Sequence, residues 1–292
     1  MSIFTGSGVA LITPFTKNGV NFDVYGELID YQIEHNTDAL ITCGTTGEPS
    51  TMSSDERHRV ISYCVERVAG RVPVIAGTGS NNTQVAIEES KKAQELGADA
   101  LLVVTPYYNK CTQNGLIAHF MAIADAVSIP IIVYNVPGRT GVNVLPQTMQ
   151  ALSQHPNIVG LKDATANIEQ IVETARLCPH LDLYSGNDDH VLPLLSLGGV
   201  GVISVLANVA PQQTHDLVAS FLSGDIARSR SIQFSVNPLV QALFSEVNPI
   251  PVKYGVGLLG FNVGPVRLPL TPLQAEHQEK LRNEMNALHL LP

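Results

Sequence analysis

Lys162 closes an apolar run, IVGLKDA, from Ile158 to Ala164. The chain has seven lysines in 292 residues, so an amine at the end of a strand-like segment calls for a chemical reason. Shielding from water disfavours the ammonium, lowers its pKa and leaves a neutral amine able to attack a carbonyl. Lys162 is thus a candidate for Schiff-base formation. The same position also suits a stem lying on the strand with its head reaching water or Asp163, and position alone leaves both readings open. Successive strand residues face opposite ways, which weakens the pairing of Lys162 with Asp163.

Imine chemistry needs proton shuttles, because water must leave the carbinolamine and a proton must leave the adjacent carbon. Tyr134, in PIIVYNVP, can serve if a hydroxyl such as Thr45 hydrogen-bonds to it; it can equally pack as an amphipathic rim residue. GTTGE, Gly44 to Glu48, offers N–H groups and the Thr45 and Thr46 hydroxyls to a small carboxylate. The same five residues also read as a plain turn with Glu48 near a helix start. Arg139, in YNVPGRTG, is able to grip a carboxylate with two parallel hydrogen bonds or to sit in solvent. Lys253, in NPIPVK, reads as a solvated helix residue and a poor rival to Lys162, with the helix starting at Pro249 or Pro251. GTGSNN from Gly77 matches neither a dinucleotide fingerprint nor a Walker loop.

These residues need elements to carry them. Eight β-rich runs recur: GVALITPF, ALITCGT, VPVIAGTG, ALLVVTPYY, PIIVYNVP, NIVGLKDA, LDLYSGND and GVGVISV. Continuous Val, Ile and Leu marks strands covered on both faces, as in parallel sheets. The segments between them have helical periodicity; in TQVAIEESKKAQELGADA, Val85, Ala86, Ala93 and Leu96 face inward, Asn81 to Thr83 cap, and Gly97 terminates. Eight βα units imply an α/β fold, a (β/α)8 TIM barrel over residues 1–207. Residues 208–292 form a C-terminal helical appendage that completes the barrel and packs on it. Chemistry in such barrels gathers at the C-terminal strand ends, which here supply Thr45, Thr46 and Glu48, then Tyr107 and Tyr108, Tyr134, Asn135 and Arg139, Lys162 and Asp163, Gly186 and Asn187, and Ile203 and Ser204. No histidine or carboxylate cluster of metal-binding type is among them, so no metal is expected.

With 45% apolar residues and 15% charged, the chain can bury a large core. A net charge of −9 argues against a nucleic-acid partner. ERHR, Glu56 to Arg59, reads as a solvated helix face. The four cysteines, Cys43, Cys64, Cys111 and Cys178, show no CxxC or metal spacing beside nine histidines and read as reduced thiols. The opening MSIFTGSGVALITPF has neither a basic n-region nor an unbroken apolar run, and no stretch approaches the ~20 residues of a membrane helix. The expected location is cytoplasmic, with no membrane partner.

Taken in order, GTTGEPSTM, GTGSNNT, TPYYNK, YNVPGRTG, LKDAT, YSGNDD, GVISVLANV and NPIPVK resemble the class I, lysine-dependent pyruvate aldolases, and within them the dihydrodipicolinate synthase family. The resemblance spans essentially the whole chain. It implies a lyase that condenses pyruvate with L-aspartate 4-semialdehyde on the diaminopimelate route to lysine, without metal or organic cofactor. By that resemblance Lys162 forms the imine, and Tyr134, Thr45 and Tyr108 relay protons, Tyr108 in a neighbouring subunit's site. Thr46 holds the pyruvate carboxylate, Arg139 binds the semialdehyde carboxylate, and Gly186 and the Ile203 carbonyl line the pocket. It also implies a homotetramer of tight dimers. Relatives inhibited by lysine often carry a glutamate and histidines at an effector site where this chain has Val85, Arg57 and Ser54 beside Asn81 and Tyr107; weak or absent lysine feedback is expected. The rival readings are N-acetylneuraminate lyase, a 2-keto-3-deoxy sugar acid aldolase, or a catalytically silent small-molecule-sensing barrel. Arg139 and the paired threonines favour the synthase family.

Overall fold

The computed structural model describes residues 2–291; residues 1 and 292, the outermost positions of the two expected spans, lie outside the described residues. All eight apolar runs form parallel strands: Gly6–Ala10, Ala39–Thr42, Val74–Gly77, Ala100–Val104, Ile131–Asn135, Ile158–Asp163, Asp182–Ser185 and Gly201–Ser204. Each pairs with its neighbours in chain order, and the eighth pairs with the first to close a (β/α)8 barrel. Closure removes every sheet edge, and alternation then divides each strand between two apolar layers. Ile41, Ile75, Leu102, Ile132, Tyr134 and Ile203 pack in the interior cluster. Leu40, Val74, Leu101, Val133 and Leu161 belong to the cluster shared with the helices outside.

The interior is floored at the N-terminal end. Phe4 stacks on Tyr184 with ring centroids 4.5 Å apart, and the Tyr184 hydroxyl donates to the Phe4 carbonyl at 2.8 Å. Both residues are buried.

Helix starts follow local capping chemistry. Asn82 accepts from Gln84 N and Val85 N to open Thr83–Glu95, and Ser53 with Glu56 forms a reciprocal capping box at Ser54–Val68. Thr83–Glu95 turns Ala86 and Ala93 fully inward, leaves Val85 and Leu96 half-buried, and also buries Glu89. That carboxylate corrects the reading of Glu56 to Arg59 as a merely solvated face. Arg57 and His58 reach Glu89 at 3.2 and 3.1 Å, while Glu56 pairs with Arg267. A short ribbon, Phe15–Thr16 with Gly19–Val20, adds an antiparallel pair outside the eight expected strands.

After the eighth strand, Pro211–Leu222 packs beside the first strand and against Ile226–Leu243. Ile250–Leu258 and Ala275–Ala287 follow, packed on one another. The connection ahead of Ile250–Leu258 brings Asn248 back to the C-terminal end of the barrel, where it touches Thr46. Among the described residues no helix is long and apolar enough to cross a membrane.

Candidate active site

Lys162 is opposite Tyr134 on the fifth strand and Tyr184 on the seventh. Residues at one level of adjacent strands face the same way, so all three point into the barrel. Gly160 occupies the inward position below; a side chain there would press within 3.3 Å of Ile132 and 3.4 Å of Tyr184. The Lys162 Nζ sits 4.3 Å from the centre of the Tyr134 ring, and the residue is 5% exposed. Burial pushes its pKa down to about 7, with Asp188 opposing that shift and Arg139 adding to it.

Asp163 takes the other face. Its carboxylate accepts from Thr165 N at 2.9 Å and Thr165 Oγ1 at 2.6 Å, and burial raises its pKa. The counter-charge felt by Lys162 is instead Asp188, which the sequence reading did not name. Asp188 is fully enclosed and accepts from Ser204 Oγ at 2.6 Å, Val205 N at 3.1 Å and Leu206 N at 2.9 Å. Burial raises its pKa, against the pull of those donors and of Lys162. Its only sequence signal is its place in YSGNDD at the end of the seventh strand, three residues beyond Ser185.

Tyr134 is buried, which raises its phenol pKa; the Arg139 charge and the Thr45 side chain draw it back down. Thr45–Gly47 forms a single 3-10 turn, closed by Gly47 N to Gly44 O at 2.9 Å. The Thr13 hydroxyl donates to the Gly47 carbonyl at 2.8 Å. Thr46 is buried, and its hydroxyl accepts from Asn248 Nδ2 at 3.0 Å. Arg139 belongs to the one-turn helix Pro137–Thr140 and donates through Nη2 to the Asn248 carbonyl at 3.2 Å. Asn248 also escaped the sequence reading, although NPIPVK had marked its segment.

Thr45, Thr46, Tyr134, Arg139, Lys162 and Gly186 all line one inner cavity of about 80 Å³. It adjoins an outer cavity of about 290 Å³ lined by Thr45, Tyr134 and Arg139 as well as Ser50, Arg57 and Tyr107. Gly186 is needed for space: an added Cβ would lie 2.8 Å from Ala164 Cβ, 2.9 Å from Asp163 O and 3.1 Å from Lys162 Cε. Ile203 and Tyr108 are not among the residues lining that cavity, and the resemblance asks neither side chain to be there, since it gives Ile203 its carbonyl and Tyr108 a neighbouring subunit's site. Ile203 packs its side chain in the barrel interior. Tyr108 is 91% exposed, held outward by a left-handed backbone with φ 69°.

Lys253 requires a correction. It is 2% exposed, not solvated, and its Nζ meets Glu48 Oε1 at 2.7 Å. The helix Ile250–Leu258 turns it inward, so the ammonium lies 4.2 Å above the Phe15 ring. Glu48 does stand at a helix start, as the N-cap of the one-turn 3-10 helix Pro49–Thr51, but its carboxylate makes no capping bond there and instead has a partner deep in the structure. Among the described residues no group of three or more His, Cys, Asp or Glu side chains is arranged to hold a metal ion.

A buried amine with a depressed pKa, a phenol beneath it, hydroxyls beside it and an arginine at the rim can capture a 2-oxo acid covalently and move its protons. The chain is also similar to known proteins. Residues 3–288 match the model of the dihydrodipicolinate synthetase family. The 4-hydroxy-tetrahydrodipicolinate synthase of Caldicellulosiruptor bescii is 59% identical over 286 residues, 98% of this chain and 97% of that one. The crystal structure of dihydrodipicolinate synthase from Thermotoga maritima superposes with a TM-score of 0.97 at 44% identity, covering 99% of this chain and 100% of that one. The lysine-bound structure from Cyanidioschyzon merolae has a TM-score of 0.97 at 42% identity, with 100% of both chains covered.

Proposed function

The chain belongs to the dihydrodipicolinate synthetase family, and from that membership we propose how its side chains divide the work. It is a lyase, a 4-hydroxy-tetrahydrodipicolinate synthase of the diaminopimelate route to lysine, acting on pyruvate and L-aspartate 4-semialdehyde. Lys162 attacks the pyruvate carbonyl carbon as a neutral amine. The carbinolamine then loses water to give an imine. Tyr134 and Thr45, completed by Tyr108 of the partner subunit, carry the protons that leave the amine and arrive on the departing hydroxyl. Thr46 and its neighbouring backbone hold the pyruvate carboxylate, and Gly186 and the Ile203 carbonyl border the pocket.

Loss of a methyl proton turns the imine into an enamine, whose carbon attacks the semialdehyde's aldehyde carbon while the relay protonates the new alkoxide. Arg139 fixes the semialdehyde carboxylate at the rim. The substrate's own amine next attacks the imine carbon, closes the ring and expels Lys162 as a free amine. The protein's lysine serves as the electron sink throughout. The observation that most supports this reading is the Lys162 amine, buried above the Tyr134 ring with its pKa about 7. Borohydride reduction in the presence of pyruvate, followed by mass spectrometry, tests it. The expected result is one adduct on Lys162 that Lys162→Ala abolishes; an adduct elsewhere, or none in the wild type, overturns it.

We also propose a homotetramer of tight dimers in the cytoplasm. The exposed Tyr108 supports the first, since the relay in one chain lacks it. The four free cysteines support the second.

A further inference from the structure

Glu48 and Lys253 are 205 positions apart in sequence, yet their side chains are 1% and 2% exposed and 2.7 Å apart. The second Glu48 oxygen accepts the backbone N–H of Arg267 at 2.9 Å. The Arg267 guanidinium donates to the Thr51 carbonyl at 3.0 Å and lies 3.9 Å over the Phe15 ring that also carries Lys253. Desolvation consumes most of the attraction in such a pair, and apolar residues of similar volume commonly hold a fold equally well. Stability alone therefore gives little reason for it. Geometry gives a better one.

Glu48 follows the Thr45–Gly47 turn directly, with its N–H on the Thr45 carbonyl at 3.2 Å and a left-handed φ of 57°. Its carbonyl in turn accepts from Thr51 N and Oγ1 at 3.1 and 3.0 Å. The turn is thus held at its end by a carboxylate whose two oxygens face two different parts of the C-terminal segment. Glu48, Lys253 and Arg267 are all absent from the inner cavity lining. We propose that they are positioning residues, a strut that keeps the Thr45 hydroxyl against Tyr134 and the Thr46 hydroxyl on the substrate carboxylate. This rests on the roles proposed above for Thr45 and Thr46. Lys162 is held separately, through the sixth strand, so at saturating pyruvate the strut governs the rate of proton transfer and turnover rather than the final extent of adduct formation.

The test is the double variant Glu48→Gln/Lys253→Met, which removes both charges together. Three quantities are read: the melting temperature, the yield of borohydride-trapped adduct at saturating pyruvate, and steady-state kinetics. The strut requires a folded protein with wild-type adduct yield, kcat lowered roughly tenfold or more, and KM for pyruvate raised. Wild-type kinetics in the folded variant overturns the proposal, and so does a parallel fall of adduct and kcat, which marks a purely structural pair. Should the double variant fail to fold, Glu48→Asp decides. It keeps the charge but is one methylene too short to meet both partners without dragging the turn. Reduced kcat with full trapping upholds the strut, and unchanged kinetics sinks it. A wild-type enzyme that traps no adduct would instead count against the Schiff-base reading itself.

Discussion

The titration of Lys162 sets two measurable consequences. With a pKa of about 7, the reactive neutral fraction is near half at neutral pH and shrinks below it, so the rate of adduct formation should fall about tenfold per pH unit on the acid side. Stability moves the same way. Between about 7 and the ordinary 10.5 the unfolded chain binds more protons at this site than the folded one, so this contribution to stability rises with pH across that window and is lost as pH falls towards 7. Lys162→Met, which removes the burden, should therefore stabilise the fold more at pH 6.5 than at pH 9.5, by at most about 5 kcal/mol at the lower pH, and the melting temperature should rise accordingly. Equal gains at both pH values would show that the amine is not desolvated. Asp188 opposes the depression. In Asp188→Asn the lysine should titrate lower and the acid limb of the rate profile should move to lower pH. The amide oxygen can keep both backbone N–H groups, which share one carboxylate oxygen, but its NH2 then meets the Ser204 hydroxyl that donated to the other, a mismatch costing about 1–3 kcal/mol unless that hydroxyl turns to accept. Lys162 was legible as a chemical anomaly in an apolar run, whereas Asp188 was not, because an aspartate in a loop normally faces water and only the folded chain brings three donors around it.

At the scale of elements, the eight strands were readable because burial on both faces leaves unbroken Val, Ile and Leu. The Phe15–Thr16 ribbon was not, since two-residue strands carry no period. Polar segments misled for a related reason. Lys253 and the Glu56–Arg59 tract have the composition of solvent-facing helices, and what draws Lys253 into the interior and leaves Glu56, Arg57 and His58 partly buried is pairing across more than 200 positions for Lys253 and Glu56, or with the next helix for Arg57 and His58. Tight contacts between elements also fix function. Gly186→Ala would wedge a methyl between the sixth and seventh strands, against Asp163 O and Lys162 Cε. Displacement of the amine by even 1 Å should lower kcat roughly 100-fold, with the far-UV circular dichroism unchanged. A kcat within twofold of wild type would mean that the strand ends yield more readily than their packing implies.

For the whole molecule, the fold was evident from eight repeats, but its assembly is written only in surface residues. If Tyr108 completes a partner's relay, dilution below the dimer dissociation constant should extinguish activity; a fully active monomer, measured by sedimentation at assay concentration, contradicts it. The outer cavity bears on regulation. Arg57 lines it, bonded to Glu89 and Ser54 at 3.2 and 3.1 Å, and Val85 supplies no carboxylate. The Glu89 carboxylate is already engaged by Arg57 and His58, so an incoming ammonium would find no free counter-charge; activity should persist in submillimolar lysine, and strong inhibition there would refute this. The Phe4–Tyr184 plug has a kinetic corollary. A vessel sealed beneath has one doorway, through which both reactants enter and the product departs. The 2-oxo acid must reach the bottom first, and an aldehyde arriving early bars its way. Excess semialdehyde should then slow the enzyme in competition with pyruvate, a traffic rule imposed by the packed interior that the stacked rings floor.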